Sequence, residues 1–254
     1  MIRIIILGSG NVAKHLYKAF MNIKAINVIQ CYNRKGILLH PDQELGDITN
    51  DLQVLKEADL YIVAVSDDAI KTVSDGLMFN DRLVVHTSGS SPLHTLNNAN
   101  KRGVFYPLQS FSQQKDIDFE SIPFCLEAEH EKDLALLKKV AGSLSKNVYE
   151  ISSEQRNTLH VAAVFANNFT NYLFSTAKNI CDTQKVPFEI LHALILETAT
   201  KITEIDPDLA QTGPALRNDT KTIQRHLNTL SNQEHKNIYQ ALTAAIQSKH
   251  GKKL

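Results

Sequence analysis

The stretch "IRIIILGSGNVAKHLYKAF", residues 2–20, decides the fold. Residues 2–7 are β-branched and almost wholly apolar, the composition of a strand buried on both faces of a parallel sheet. "GSGNVA", residues 8–13, then passes into a helical pattern in which Val12, Leu16, Ala19 and Phe20 recur on one face. Strand, glycine turn and helix follow in that order. Gly8 permits the tight turn and Gly10 lets the backbone approach a pyrophosphate. Asn11 and Val12 begin a helix whose free N–H groups and partial positive charge suit phosphate. A lone G-x-G-x-x-A also serves ordinary turns, so its neighbourhood has to decide.

That neighbourhood continues the pattern. "INVIQCY" reads as a second strand and ends in Asn33-Arg34-Lys35, about 20 residues after the turn, where an NAD site usually places an acid on the ribose hydroxyls. A cation there favours NADP, because Arg34 can pair bidentately with a 2′-phosphate and stack on adenine. A solvated basic turn is the structural alternative. "ADLYIVAVSDDAI" reads as a strand through Val65 and a helix capped by Asp67 or Asp68. "RLVVHTSGSS", "GVFYPLQSF" and "PFCLEAE" supply further strands, and "HEKDLALLKKVAGSLSK" an amphipathic helix before a last short strand, "NVYEIS". The expectation is an α/β fold, a Rossmann-type doubly wound and mostly parallel sheet over residues 1–151. Ligands of such sheets lie beyond the carboxyl ends of the strands, which puts Val65, Ser66, Thr87, Ser88 and the segment Tyr106 to Gln109 near the nicotinamide end.

From Ser152 the strand signal disappears, and residues 152–254 read as a separate all-α domain for substrate binding and dimerisation. "SSEQ" offers a capping box between Ser152 and Gln155, opening a helix to about Gln184, about 45 Å long. Pro187 opens another helix, stopped at Asp206-Pro207; Asp219 is the expected N-cap of the next, and Ser231 with Glu234 the expected capping box of the last. Projected at 100° per residue, Leu159, Ala162, Phe165, Ala166, Phe169, Leu173 and Ile180 cover more than half of the long helix, so most of it is expected to be buried. The remaining arc collects Arg156, His160, Asn167, Asn171, Ser175 and Lys178, with Asn168 at its edge. Carboxamides and hydroxyls orient a ligand without burying a charge, and imidazole moves protons near neutrality. Hydrogen-bonded interior groups or a subunit contact are the alternative.

Composition narrows the classes of partner. Lys plus Arg equals Asp plus Glu at 27 each, which leaves no basic excess for nucleic acid. The apolar run at the start is too short for a membrane span and has no signal-peptide layout, so a cytoplasmic protein is expected. Cys31, Cys125 and Cys181 are odd in number and far apart, arguing against a disulfide framework or a metal site.

Taken in order, "GSGNVA", "YNR", "ADLYIVAVSDD", "VVHTSGS", "YPLQSF", "HVAAVFANNFTNYL" and "TGPALRND" resemble the Rossmann-like oxidoreductases whose C-terminal helical domain is catalogued as a domain of unknown function. More distantly the chain is similar to pyrroline-5-carboxylate reductase, ketopantoate reductase and the 3-hydroxyisobutyrate and 6-phosphogluconate dehydrogenases. The resemblance implies NADP as cofactor and a homodimer formed through the helical domain. It places Gly8, Gly10, Asn11 and Val12 at the phosphates, Asn33 and Arg34 at the NADP-type strand end, and Val65 and Ser66 beside the nicotinamide ribose. The hydroxyacid dehydrogenases carry a catalytic lysine on the long helix; here that region holds His160, Asn167 and Asn168 instead.

The expected function is an NADP(H)-dependent oxidoreductase acting on a C=O or C=N bond of a small anionic metabolite. His160 would be the general acid or base. Asn167, Asn168 and Arg217 would orient the substrate, and Asp219 would orient a base or simply cap its helix. A non-catalytic NADP(H) sensor and an NAD-linked prephenate-type dehydrogenase are the alternatives.

Overall fold

The computed structural model describes residues 1–112 and 114–250; the last four residues of the expected helical domain lie outside the described residues. The chain forms two compact units, Met1–Asn167 and Asn168–Leu254. The first is built on an eight-stranded sheet: β1 (Ile2–Leu7), β2 (Ile26–Tyr32), β3 (Ile48–Thr49), β4 (Leu60–Val63), β5 (Leu83–His86), β6 (Lys101–Pro107), β7 (Phe124–Ala128) and β8 (Val148–Glu150). Their order is β3-β2-β1-β4-β5-β6-β7-β8, and every pair is parallel except β6 with β7. The strand order reverses between β1 and β4, so the crevice beyond their carboxyl ends is the place where such a sheet receives a ligand.

Period-two alternation divides β1 between two cores. Ile4 and Ile6 pack with Leu16 and Phe20 of α1 (Asn11–Met21), whereas Ile5 and Leu7 pack with Tyr61, Val63 and Ile70 on the other face. Ile70 belongs to α2 (Asp67–Asp75). α3 (Glu131–Gly142) closes the first core with Leu134, Leu137 and Val140, all buried. At about 1.5–3 kcal/mol for each fully buried aliphatic side chain, these two clusters hold the sheet between helical layers. α2 starts differently from the expected pattern. Its N-cap is Ser66, and Asp67 and Asp68 sit one residue inside, complementing the helix dipole rather than capping it.

α4 (Ser153–Ala163) ends the first unit's regular structure. Its capping box forms as read: the Ser152 hydroxyl accepts from the Gln155 N–H at 3.2 Å and the Gln155 carbonyl oxygen Oε1 accepts from the Ser152 N–H at 2.9 Å. Residues Val164–Phe169 are π-helical and α5 (Thr170–Thr183) follows. A π turn inserts a residue into the 3.6 period, so the face computed at 100° per residue drifts by about one position beyond Ala163. The expected burial of this helix also fails. Phe165, Phe169, Val161 and Leu173 are all exposed, Phe165 by 64%.

The second unit holds α5, a 3₁₀ turn at Phe188–Leu191 after Pro187, α6 (His192–Glu204), α7 (Pro207–Ala210), α8 (Thr220–Thr229) and α9 (Gln233–His250). Asp206 caps α7, and Asp219 caps α8 as expected, its Oδ1 accepting from the Thr222 N–H at 3.0 Å. The last helix is capped by Asn232, not Ser231: Asn232 Oδ1 accepts from the Glu234 N–H at 2.7 Å. Asparagine and serine both suit that position, and side-chain reach decides between neighbours. α5, α6, α8 and α9 bury no residue.

Candidate functional site

A cavity of about 850 Å³ opens in the first unit at the strand reversal. Its floor is the glycine turn. Gly8 has φ +136°, and a Cβ there would lie 2.0 Å from the Ala64 carbonyl oxygen, so glycine is demanded by both conformation and the close approach of β1 to the segment after β4. Around Gly10 the opposite holds: a Cβ would meet nothing within 4 Å, and the space is that of the cavity. Gly10 is also the N-cap of α1 and offers no side-chain hydrogen bond, and no acid occupies the first turn. α1 thus presents its first amides to the cavity uncapped, whereas α4 is closed by its own side chains. An anion is the natural cap for such an end.

One end of the cavity is cationic. The Asn33 side chain is buried and organises the turn after β2, its Oδ1 accepting from Lys35 N–H at 3.2 Å and Ile37 N–H at 3.1 Å while its Nδ2 donates to the Ile37 carbonyl at 2.8 Å. This turn presents Arg34, which lines the cavity, is exposed, and is absent from the ion pairs found among the described residues. Leu52, Thr72 and Val73 give the same cavity a partly apolar wall. These groups fit a dinucleotide: uncapped amides and an open glycine for the phosphates, a free guanidinium at the strand end for a 2′-phosphate.

The other end holds an imidazole and a phenol. Val65, Ser66, Asp67, Thr87, Ser88 and Gly89 line it, with His160 of α4. His160 Nδ1 lies 3.4 Å from the Tyr106 hydroxyl, their ring centroids 6.4 Å apart. Gly89 makes this contact possible, since a Cβ would sit 2.5 Å from His160 Nδ1 and 2.8 Å from the Tyr106 oxygen. Burial pushes the Tyr106 phenol up to about 12, so it remains a neutral donor at physiological pH. The Ser88 hydroxyl accepts from the N–H groups of Ser90 at 3.1 Å and Ser91 at 2.9 Å, fixing the loop, and Ser90 donates to the Asp67 carboxylate in a short hydrogen bond.

Beneath this end, His86 is fully buried, and burial followed by the nearby Arg156 charge lowers it to about 4. Its Nδ1 accepts from the Ser88 N–H at 3.2 Å. Arg156, read in the sequence as part of the polar arc of the long helix, is instead an interior cation paired with Glu127 at 2.6 Å.

All nine residues expected at the cofactor, Gly8, Gly10, Asn11, Val12, Asn33, Arg34, Val65, Ser66 and Ser88, line this one cavity, and so does His160. Asn167 is exposed on the π-helical segment and is not among the lining residues. Asn168, Arg217 and Asp219 belong to the second unit. There Asp219 is held below the usual carboxylate range by the Thr222 amide and, less, by Arg217. Sequence reading places Tyr106 near the nicotinamide end and stops at Ser88, short of Gly89; their contact with His160 is set by long-range packing and is not legible in it.

Residues 122–246 match the family model described as domain of unknown function (DUF2520). A crystal structure from Bacteroides fragilis, described as a putative NADP oxidoreductase, shares 37% identity over 97% of this chain and 98% of its own, with a TM-score of 0.83. The chain belongs to that family, the Rossmann-like proteins with this helical C-terminal domain. A Thermotoga maritima protein shares the fold at 22% identity, 96% and 97% coverage and TM-score 0.73. The 1-pyrroline-5-carboxylate reductase of Streptococcus pyogenes does so at 12% identity, 98% coverage of both chains and TM-score 0.64. No curated protein matches the chain.

Proposed function

We propose that this chain is an NADP(H)-dependent oxidoreductase acting on a C=O or C=N bond of a small metabolite. The observation that carries the reading is that one cavity joins the uncapped start of α1 to the imidazole of His160. The description of the Bacteroides fragilis relative as an NADP oxidoreductase supports it. Gly8, Gly10, Asn11 and Val12 would hold the phosphates, Arg34 on the turn built by Asn33 the 2′-phosphate, and Val65, Ser66 and Ser88 the nicotinamide ribose. When bound, the dinucleotide supplies or accepts a hydride. With Nδ1 facing Tyr106, His160 has Nε2 left for the substrate. It gives its proton to the oxygen or nitrogen of the bond being reduced and takes it back in the reverse direction.

A homodimer formed through the helices of the second unit belongs to the same proposal. It is supported by helices that bury no side chain of their own. No helix among the described residues is long and apolar enough to cross a membrane, so lipid-spanning is not what their apolar residues serve.

The test is a screen of carbonyl and imine metabolites with stereospecifically deuterated NADPH, repeated on His160→Ala. Deuterium transfer that falls about 100-fold or more in the variant is expected. Transfer unchanged in the variant would remove the acid–base role, and no transfer to any metabolite would favour a cofactor-sensing module.

A further inference from the structure

Arg156 is the largest fully buried side chain among the described residues, 1% exposed. Its Nη1 donates to Glu127 Oε2 at 2.6 Å, and its Nη2 donates to the Ser91 carbonyl at 2.6 Å and to the Ser153 hydroxyl at 3.1 Å. Ser153 in turn donates to Glu127 Oε2 at 2.7 Å and accepts from the Leu93 N–H at 2.9 Å. Three pieces of chain meet at this guanidinium: α4 through Arg156 and Ser153, β7 through Glu127, and the loop after β5 through Ser91 and Leu93. A buried ion pair adds little net stability over hydrocarbon of the same shape, and its best-attested use is to fix one arrangement among several.

What it fixes lies one helical turn away. His160 follows Arg156 by four residues, on the same face of α4. The loop clamped by Arg156 at Ser91 is the loop that gives His160 its clearance at Gly89, two residues earlier. The imidazole approaches so closely that a Cβ on Gly89 would stand 2.5 Å from its Nδ1, so a shift of α4 against this loop changes the ring's place relative to it. Arg156 and Glu127 are not among the residues lining the cavity, and they reach it only through the loop that Ser91 shares with Ser88.

We propose that the buried Arg156–Glu127 pair is the positioning device of the site, locking α4 onto the loop after β5 so that His160 stands against Tyr106 with its other nitrogen free. The use of that lock for catalysis rests on the acid–base reading of His160; the lock itself does not.

The experiment is proton–carbon NMR of the full-length protein, following the His160 ring and its cross-relaxation with the Tyr106 ring, with His160→Gln to assign the signal. Arg156→Met keeps side-chain length without charge, Glu127→Gln keeps volume, and Lys138→Met removes an exposed ion pair with Glu150 as control. Arg156→Met and Glu127→Gln are expected to move the His160 signals and weaken the Tyr106 cross-peak at least threefold. Lys138→Met changes neither. If Arg156→Met does not fold, Glu127→Gln carries the test. His160 signals and cross-peak unchanged in Glu127→Gln overturn the proposal. Full turnover in His160→Gln would sink the acid–base reading while leaving the NMR result to judge the lock.

Discussion

The two units use apolar surface in opposite ways. In the first, both faces of the sheet are covered: Ile4 and Ile6 by α1, Ile5 and Leu7 by the layer that includes α2, and the ligand cavity is carved between elements already fixed. In the second, α5, α6, α8 and α9 hold no fully buried residue, and Ile190, Leu194 and Leu196 are each more than 60% exposed. Both regions have the apolar content of packed structure. An amphipathic pattern shows that a face needs cover and is silent on who provides it, so the first unit can be understood from its own contacts and the second leaves much of its apolar surface uncovered.

The largest effect that would sharpen this contrast is Gly8→Ala. A methyl 2.0 Å from the Ala64 carbonyl, at φ +136°, should cost about 3 kcal/mol or more and abolish NADPH binding, measured by denaturant unfolding and calorimetry. Next comes the double substitution Ile190→Glu with Leu194→Glu, which is expected to weaken self-association at least about 100-fold, read by light scattering against concentration, while NADPH affinity is retained. A wild-type protein that is monomeric at micromolar concentration would break the comparison, because the exposed helices would then need no second copy.

Proton linkage of the first unit's interior gives a third, smaller effect. His86 is lowered to about 4 in the folded state, against an ordinary value near 6.5 once unfolded, so between those values the unfolded chain binds the extra proton. Stability contributed by neutral His86 is therefore complete above about pH 6.5 and is lost as pH falls toward 4, by up to about 1.4 kcal/mol per pH unit. Unfolding measured from pH 7 to pH 5 should show this slope in the wild type and a shallower one in His86→Gln. Smallest is Ser152→Ala, expected to cost about 1 kcal/mol through the lost cap of α4 and to leave NADPH affinity unchanged.

The parts of the molecule that sequence made readable are those set by residues near one another along the chain. Gly8 and Gly10, the Ser152 capping box, the Asp219 cap and the alternation of strand and helix all follow from local geometry. That the nine residues expected at the cofactor would line one cavity was legible too, because a doubly wound sheet brings its strand ends to one edge whatever fills the rest. What escaped depends on long-range packing. The π-helical turn at Val164–Phe169 shifted the face on which Asn167 and Asn168 had been projected. Arg156 was read as part of a polar stripe, and only Glu127, 29 positions earlier, makes an interior cation of it. Tyr106 and Gly89 acquire meaning only when α4 brings His160 over them.

Whether the cavity of the first unit takes NADPH in preference to NADH is decided by calorimetric titration of the full-length protein with both nucleotides, repeated on Arg34→Ala. NADPH is expected to bind at least about tenfold tighter than NADH, a difference of about 1.4 kcal/mol from the pairing of Arg34 with the 2′-phosphate, and the preference is expected to vanish in the variant. Equal affinity for both nucleotides in the wild type, or binding of neither, would contradict that expectation.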